Sequence, residues 1–380
     1  MNISIAILFS SYGPYHIARI EGLLKNPQIL PEQITAIELA RVQEEYPWTT
    51  KFQDLGCSVV SLTQDQTLER TNTISLLFKM YQTLNQVNPD AVAIAGYFQP
   101  PMLMALFWCL LNGKLPILLS ETTEDDTPRL WWRESIKGWI VRKYKSALVG
   151  GKPHKRYLMK LGIPDDAIFL GYDVVGNNTF SPTKIKSLAK PIQKPYFLAV
   201  NRFIYKKNLS FLIQSYADYQ LLVGDNAWDL VLCGDGELRP QIQQQITSLG
   251  LENNIHIPGF LQQDELLPYF AHAGCFIHAS TQEQWGLVVN EAMAAGLPVI
   301  ISKRCGCFED LVIEGINGFG FDPTNNQELI SLMLKISSPD INLEQIGNAA
   351  LEHIQTMSPD YFARGLIQAI EYALFHEKSK

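Results

Sequence analysis

Short apolar runs alternate with longer amphipathic stretches along the whole chain. In the first half, residues 3–9, 35–38, 91–95, 117–119 and 147–149 have the length and the β-branched content of buried strands. Between them, 15–24, 73–86 and 101–111 carry apolar residues at helical spacing. Strand–helix alternation of this kind predicts a mostly parallel sheet with helices on both faces. The second half repeats the plan, with strands expected at 196–200, 229–233, 255–257, 275–278, 298–301 and 318–321. Its helices are expected at 208–218, 238–249, 263–272, 288–295 and 327–336. The pattern predicts an α/β chain of two Rossmann-like, doubly wound domains facing each other across a cleft. They are expected at 1–181 and 196–357, joined by the polar, proline-bounded stretch 182–195 with Lys184, Lys186 and Lys190. In 358–380, Tyr361, Phe362, Leu366, Ile367, Ile370 and Leu374 recur at helical spacing. That segment is read as a helix crossing back to the first domain, the plainer reading being the last helix of the second.

Composition narrows the class. A chain of 380 residues fits roughly two domains. With 47% hydrophobic and 18% charged residues it can bury ample core and is not a disordered segment. Lys and Arg number 31 against 38 Asp and Glu, a net charge of −7, which argues against nucleic acid as a partner. The N-terminal sequence lacks the positive region and small-residue cleavage site of a signal peptide and reads as a first strand. The longest apolar stretches, 102–111 and 288–301, fall short of the roughly 18 apolar residues a spanning helix requires. A cytoplasmic location is expected, peripheral on the inner membrane face at most. Six scattered cysteines (Cys57, Cys109, Cys233, Cys275, Cys305 and Cys307) read as reduced structural thiols, and Cys305-Gly306-Cys307 lacks the further ligands of a zinc site.

Candidate chemistry concentrates in the second half. In Ser280-Thr-Gln-Glu283-Gln-Trp-Gly286-Leu287-Val288-Val-Asn-Glu291, a strand ends in a polar loop, a glycine permits tight backbone approach, and a helix begins. The free N–H groups and dipole of that helix start suit a diphosphate. Glu283 and Glu291 would repel phosphate and are better placed for hydroxyl groups at either end of a bound sugar nucleotide. Upstream, Arg202 and Lys207 follow a strand, and two such cations can neutralise a diphosphate leaving group.

These residues resemble the signature of retaining glycosyltransferase family 4, of GT-B fold: Glu283-x7-Glu291 followed by Ala-Met-Ala-Ala-Gly-Leu-Pro-Val. Arg202…Lys207-Asn208, Cys233-Gly-Asp-Gly236, Ile257-Pro-Gly259-Phe260 and Gly315-Ile-Asn-Gly318 agree in order and spacing. The resemblance is close over about 196–325 and loose in the first half. It implies that Arg202 and Lys207 bind the donor diphosphate, that Glu291 accepts hydrogen bonds from the ribose, and that Glu283 contacts the transferred sugar. The amides of Gly286, Leu287 and Val288 would approach sugar or phosphates, and the backbone near Gly259 and Phe260 would meet the base. Gly234 and Gly236 are read as turn residues. In the first domain the resemblance implies roles near donor and acceptor for Gly13 and His16, although one glycine stands in this loop where relatives often have two. By itself a histidine at a helix start is more often a cap. Glu121 falls in a region where relatives often carry a histidine; its alternative is a solvated acidic loop.

The implied reaction is transfer of a sugar, with retention, from a nucleoside-diphosphate sugar to a hydroxyl acceptor (a lipid, a polysaccharide precursor or a small molecule). Front-face attack would proceed with the leaving phosphate assisting deprotonation, and closure would assemble the site. No Asp-x-Asp motif follows a strand, Asp125-Asp126 being the nearest candidate, so neither a catalytic metal nor a cofactor is expected. Two alternatives remain: a nucleotide-sugar epimerase or phosphorylase on the same fold, and a non-catalytic nucleotide-sugar-binding or membrane scaffold protein. The presence together of Arg202, Lys207, Glu283 and Glu291 argues against the scaffold.

One further stretch stands out. Residues 129–156 hold nine of the 31 basic residues against one acid, Glu134, with Trp131, Trp132 and Trp139 interleaved. It reads either as contact with an anionic membrane surface or anionic acceptor, or as a helix with its tryptophans in the core and a solvated basic face.

Overall fold

The computed structural model describes residues 3–42, 55–64, 66–126 and 129–378, and the chain divides into two compact units. The first comprises Met1–Gly176 with Met357–Lys380, and the second Asn177–Thr356.

The first unit is built on β1 (Ile5–Phe9), β2 (Ile34–Glu38), β3 (Ser58–Ser61), β4 (Ala91–Ala95), β5 (Leu115–Ser120), β6 (Ser146–Val149) and β7 (Ile168–Leu170). They form one parallel sheet in the order β3-β2-β1-β4-β5-β6-β7. Its helices are α1 (Pro14–Leu24), α2 (Thr73–Val87), α3 (Pro100–Leu111), α4 (Trp131–Val141) and α5 (Lys152–Leu161). Both sheet faces are covered, which is why the strands read as unbroken apolar runs. Ile5, Ile7 and Phe9 of β1 point into one core, and the intervening Ala6 and Leu8 into the other. β3 and β7 are absent from the expected strands because, as edge strands SVVS and IFL, they are too short to stand out in the sequence.

The second unit carries α6 (Asn177–Phe180), α7 (Pro182–Ile185), β8 (Tyr196–Val200), α8 (Leu209–Val223), β9 (Asp229–Cys233), α9 (Arg239–Ser248), β10 (Ile255–Gly259) and α10 (Gln263–His272). It continues through β11 (Cys275–His278), α11 (Leu287–Ala294), β12 (Val299–Ser302), α12 (Phe308–Leu311), β13 (Gly318–Phe321), α13 (Asn326–Ser337) and α14 (Leu343–Gln355). The strands pair in parallel in the order β10-β9-β8-β11-β12-β13.

Three features differ from, or decide between, the expectations. The stretch 182–195 does not link the units: the chain passes between them at Gly176/Asn177, and 182–195 lies within the second. Its prolines serve local structure instead. Pro182 opens α7, Ile185 is buried, and His272 Nε2 bonds the Leu188 carbonyl at 2.8 Å. The C-terminal helix α15 (Pro359–Lys378) belongs to the first unit. It lays Phe362, Leu366, Ile367 and Ile370 into the core shared with Ile5, Ile7 and Phe9. Two glycines permit its approach: a Cβ at Gly22 would stand 2.5 Å from the Pro359 carbonyl oxygen, and one at Gly365 2.3 Å from that of Leu170. Finally, the tryptophans of α4 are not in the core. Trp131, Trp132 and Trp139 are 82%, 45% and 62% exposed, so the buried-tryptophan reading of this stretch is set aside.

One polar pair is sealed inside the first unit. Arg19, on α1, and Asp173, just beyond β7, are both buried, with Nη2 and Oδ1 at 3.2 Å and the guanidinium 4.2 Å from the Tyr172 ring centroid.

Candidate functional site

In an open parallel sheet, ligands settle at the carboxyl ends of the strands where the strand order reverses. In the second unit the order runs outward from β8 through β9 to β10 in one direction, and from β11 to β13 in the other. The reversal lies between β8 and β11. The expected cations follow β8 and the expected carboxylates follow β11.

Beyond β8, the chain passes buried Asn201 and half-buried Arg202 into a 3-10 turn, Tyr205–Lys207, that ends at Asn208 with φ +57°. The Asn208 side-chain amide donates to the Pro323 carbonyl at 2.9 Å and anchors the turn. Beyond β11, the Thr281 N–H donates to the Lys206 carbonyl at 2.9 Å, which ties the two loops together. Lys207 thereby reaches Glu283, and Lys207 Nζ pairs with Glu283 Oε2 with both side chains nearly buried.

Two more groups address the same oxygen. His278 Nε2 lies 3.1 Å and Ser280 Oγ 3.2 Å from Glu283 Oε2. Among the described residues no donor reaches Oε1, the oxygen left for a ligand. Burial pushes the Glu283 carboxyl up, but the His278 hydrogen bond and the Lys207 charge outweigh it and hold the group well below the usual carboxylate range. Glu283 is therefore an ionised acceptor. Burial, with Lys207 adding to it, lowers His278 below the usual histidine range despite its bond to Glu283, so the imidazole is neutral.

The loop closes at Gly286, the N-cap of α11, whose φ of +104° strains any other residue. A Cβ there would meet Glu283 Cγ at 3.4 Å and His278 Nε2 at 3.7 Å, so the helix start is drawn down onto the cluster. Leu287 and Val288, half-buried, supply the first amides of α11. Trp285 Nε1 donates to Asn290 Oδ1 at 2.8 Å and pins the loop to the helix. Glu291 is buried within α11. Cys305 and Cys307 are buried free thiols packed behind this loop, with Gly306 N–H donating to the Glu283 carbonyl at 3.0 Å; burial pushes both thiols up and keeps them unreactive.

Gly259 ends the edge strand β10 at φ +93°, and its carbonyl takes the Gly234 N–H at 2.8 Å; Phe260 beyond it is exposed. Gly234 is a close-approach residue: a Cβ would stand 1.8 Å from the Asn201 carbonyl oxygen. Gly13 and His16 belong to the first unit, at the corresponding reversal between β1 and β4. His16 Nδ1 accepts the Gly13 N–H at 3.1 Å and its ring packs on Phe9 at 4.2 Å. Burial and the Arg19 cation hold it well below the usual histidine range, so His16 is a neutral cap of α1.

Sequence reasoning brought Lys207, Glu283 and Gly286 to one place and missed three neighbours. His278 and Ser280 complete the cluster, and Asn201 carries both side-chain polar atoms buried without a hydrogen bond. The signal was available for His278 and Asn201: each is a polar residue at or just beyond the carboxyl end of a central parallel strand.

Residues 180–353 match the family model described as Glycosyl transferases group 1. Over 145 residues the chain is 29% identical to an alpha-monoglucosyldiacylglycerol synthase of Acholeplasma laidlawii, covering 38% of this chain and 35% of that protein. Over 179 residues it is 27% identical to a 2-deoxystreptamine N-acetyl-D-glucosaminyltransferase of Niallia circulans, covering 46% and 45%. The chain thus spans less than half the length of these relatives. Among solved structures, Anabaena HepE in complex with UDP and glucose superposes with a TM-score of 0.76 at 19% identity, over 97% of this chain and all of that one. The sucrose-phosphate synthase of Thermosynechococcus elongatus does so with a TM-score of 0.76 at 16% identity, over 99% and 100%. The chain is thus two parallel-sheet, Rossmann-like units of the GT-B type, and the second carries, over residues 180–353, a glycosyl transferases group 1 domain.

Proposed function

We propose that the protein is a retaining hexosyltransferase of the family 4 type that moves a sugar from a nucleoside-diphosphate sugar to a hydroxyl acceptor. The observation that carries this reading is the cluster at the β8/β11 reversal: an ionised Glu283 with one oxygen that no donor among the described residues reaches, a cation on the other, and a helix N-terminus capped by Gly286 beside it. In this reading Arg202, Lys207 and the amides of Leu287 and Val288 take the diphosphate, where leaving-group charge builds. Glu283 Oε1 accepts from a sugar hydroxyl, Glu291 from the ribose, and Gly259 with Phe260 meets the base. His16 and Gly13 line the acceptor side in the first unit. Front-face attack needs no protein nucleophile, which suits a cluster whose one carboxylate is already held by three donors. Calorimetry against uridine, adenosine and guanosine diphosphates and their sugars, with Lys207→Ala as control, tests it. Binding of one nucleotide that the variant still binds, but measurably more weakly, supports the reading, and binding of none defeats it.

The exposed face of α4 favours an acceptor at an anionic membrane surface. No helix among the described residues is long and apolar enough to cross a membrane. Yet Leu130, Trp131, Trp132, Ile136 and Trp139 are exposed together on and beside α4. Arg133 lies over the Trp132 ring at 5.1 Å and Lys143 over Trp139 at 5.2 Å, so cations sit beside the indoles. The one acid of the stretch, Glu134, is paired with the Lys137 ammonium at 2.9 Å and accepts the Tyr157 hydroxyl at 2.7 Å. Indoles flanked by cations fit a headgroup layer, each nearby cation adding about 1 kcal/mol on an anionic surface. The protein should co-sediment with phosphatidylglycerol vesicles and not with pure phosphatidylcholine. Replacing Trp131, Trp132 and Trp139 with serine should abolish that binding while leaving nucleotide binding intact; co-sedimentation unchanged in the triple variant would refute the membrane reading.

A further inference from the structure

His278 is the last residue of β11, fully buried, with its ring stacked 6.2 Å from Phe276 on the same strand face. Its Nδ1 is buried without a hydrogen bond, while Nε2 faces Glu283 Oε2 at 3.1 Å. These contacts choose the tautomer. A proton on Nδ1 would leave a buried N–H unsatisfied and set the Nε2 lone pair against a carboxylate. A proton on Nε2 alone donates to Glu283 and leaves only a lone pair unpaired. The Ser280 hydroxyl, 3.1 Å from His278 Nε2 and 3.2 Å from Glu283 Oε2, donates to the same carboxylate oxygen. Two neutral donors thus share Oε2 with the Lys207 ammonium.

On the proposed donor-site reading, Lys207 has two anions to serve. Without donor it pairs with Glu283; with donor it must reach the diphosphate. A nearly buried carboxylate abandoned by the cation paired with it is costly unless other donors satisfy it. We infer that His278, assisted by Ser280, is a positioning residue that keeps Glu283 satisfied and oriented when Lys207 turns to the diphosphate. Two consequences follow. Nucleotide affinity depends on His278 although it is not placed to touch the nucleotide. The rotamer of Glu283, and with it the aim of Oε1 at the sugar, depends on His278 as well.

The test uses the full chain with His278→Leu, which removes the donor at similar volume, and His278→Gln, which restores an N–H. Nucleoside diphosphate binding is measured by calorimetry, and kcat and KM by released diphosphate. His278→Leu should weaken nucleotide binding by about tenfold to a hundredfold, the span of one hydrogen bond to a charged group. It should also lower kcat, and His278→Gln should recover most of both losses. In a Lys207→Ala background the same His278→Leu change should cost nucleotide binding almost nothing, because no cation is left to hand over. A merely structural histidine would give the same loss in both backgrounds and no recovery by glutamine, and that result would overturn the inference. If His278→Leu does not fold, Ser280→Ala carries the test, with a several-fold loss expected and wild-type affinity overturning it. Wild-type protein that binds none of the nucleotides defeats the donor-site reading and this inference with it. Nucleotide binding that needs Lys207 and ignores His278 defeats this inference alone.

Discussion

Lys207→Ala should lower turnover by about a hundredfold to a thousandfold, the usual cost of one group that stabilises charge forming in the transition state. Two effects combine. On the proposed reading, the leaving diphosphate loses a cation at the end of β8. Glu283, still held by His278 and Ser280, then faces that diphosphate without its paired cation. Glu291→Ala should instead act on donor affinity, since Glu291 sits within α11 and not on the Lys207–Glu283 cluster. Initial rates with saturating donor separate the two, and a Lys207→Ala enzyme with wild-type kcat would remove the assigned site. Lysine is also a better fit here than arginine: a compact ammonium can swing between two oxygens, whereas a guanidinium fork holds one geometry.

Arg19→Leu should destabilise the first unit by up to about 3–5 kcal/mol at pH values where Asp173 is ionised, the cost of stranding one partner of a buried ion pair. Asp173 would lose the cation 3.2 Å away while remaining fully enclosed. Burial and the Glu121 charge already push the Asp173 carboxyl well above its usual range, and the Arg19 guanidinium is what opposes them. The deficit therefore has a definite pH dependence. A carboxyl whose folded-state pKa is raised resists ionisation in the fold, so the penalty is full well above that pKa and fades as pH falls and Asp173 takes up a proton. Calorimetric melting of wild type and variant at neutral and acid pH measures it, and a deficit that grows in acid would show that Asp173 is not the stranded group. Replacing both residues with apolar side chains should recover most of the loss.

Much of the architecture was legible because buried parallel strands must be apolar on both faces. Runs such as Ala91–Ala95 and Cys275–His278 announce themselves for that reason. β3 and β7 were illegible because an edge strand of three or four residues is too short to show a period. Prolines in 182–195 resemble a linker when read alone, but α7 and the His272–Leu188 bond fold the stretch into the second unit. In the site, Lys207 and Glu283 could be named from spacing, but their pairing could not. It depends on the Thr281–Lys206 backbone bond between loops more than 70 residues apart in sequence. His278 and Ser280 were invisible as partners for the same reason.

The sequence by itself determined the α/β class, the parallel sheets, the place of most elements and the residue types gathered at one end of the second sheet. These follow from hydrophobic period and local turn chemistry, which are properties of neighbouring residues. Only the tertiary structure decided the strand orders, the return of α15 to the first unit, the exposure of Trp131, Trp132 and Trp139, and the convergence of three donors on one oxygen of Glu283. Each of these depends on segments far apart in the chain meeting in space, and no local pattern encodes which surfaces will meet.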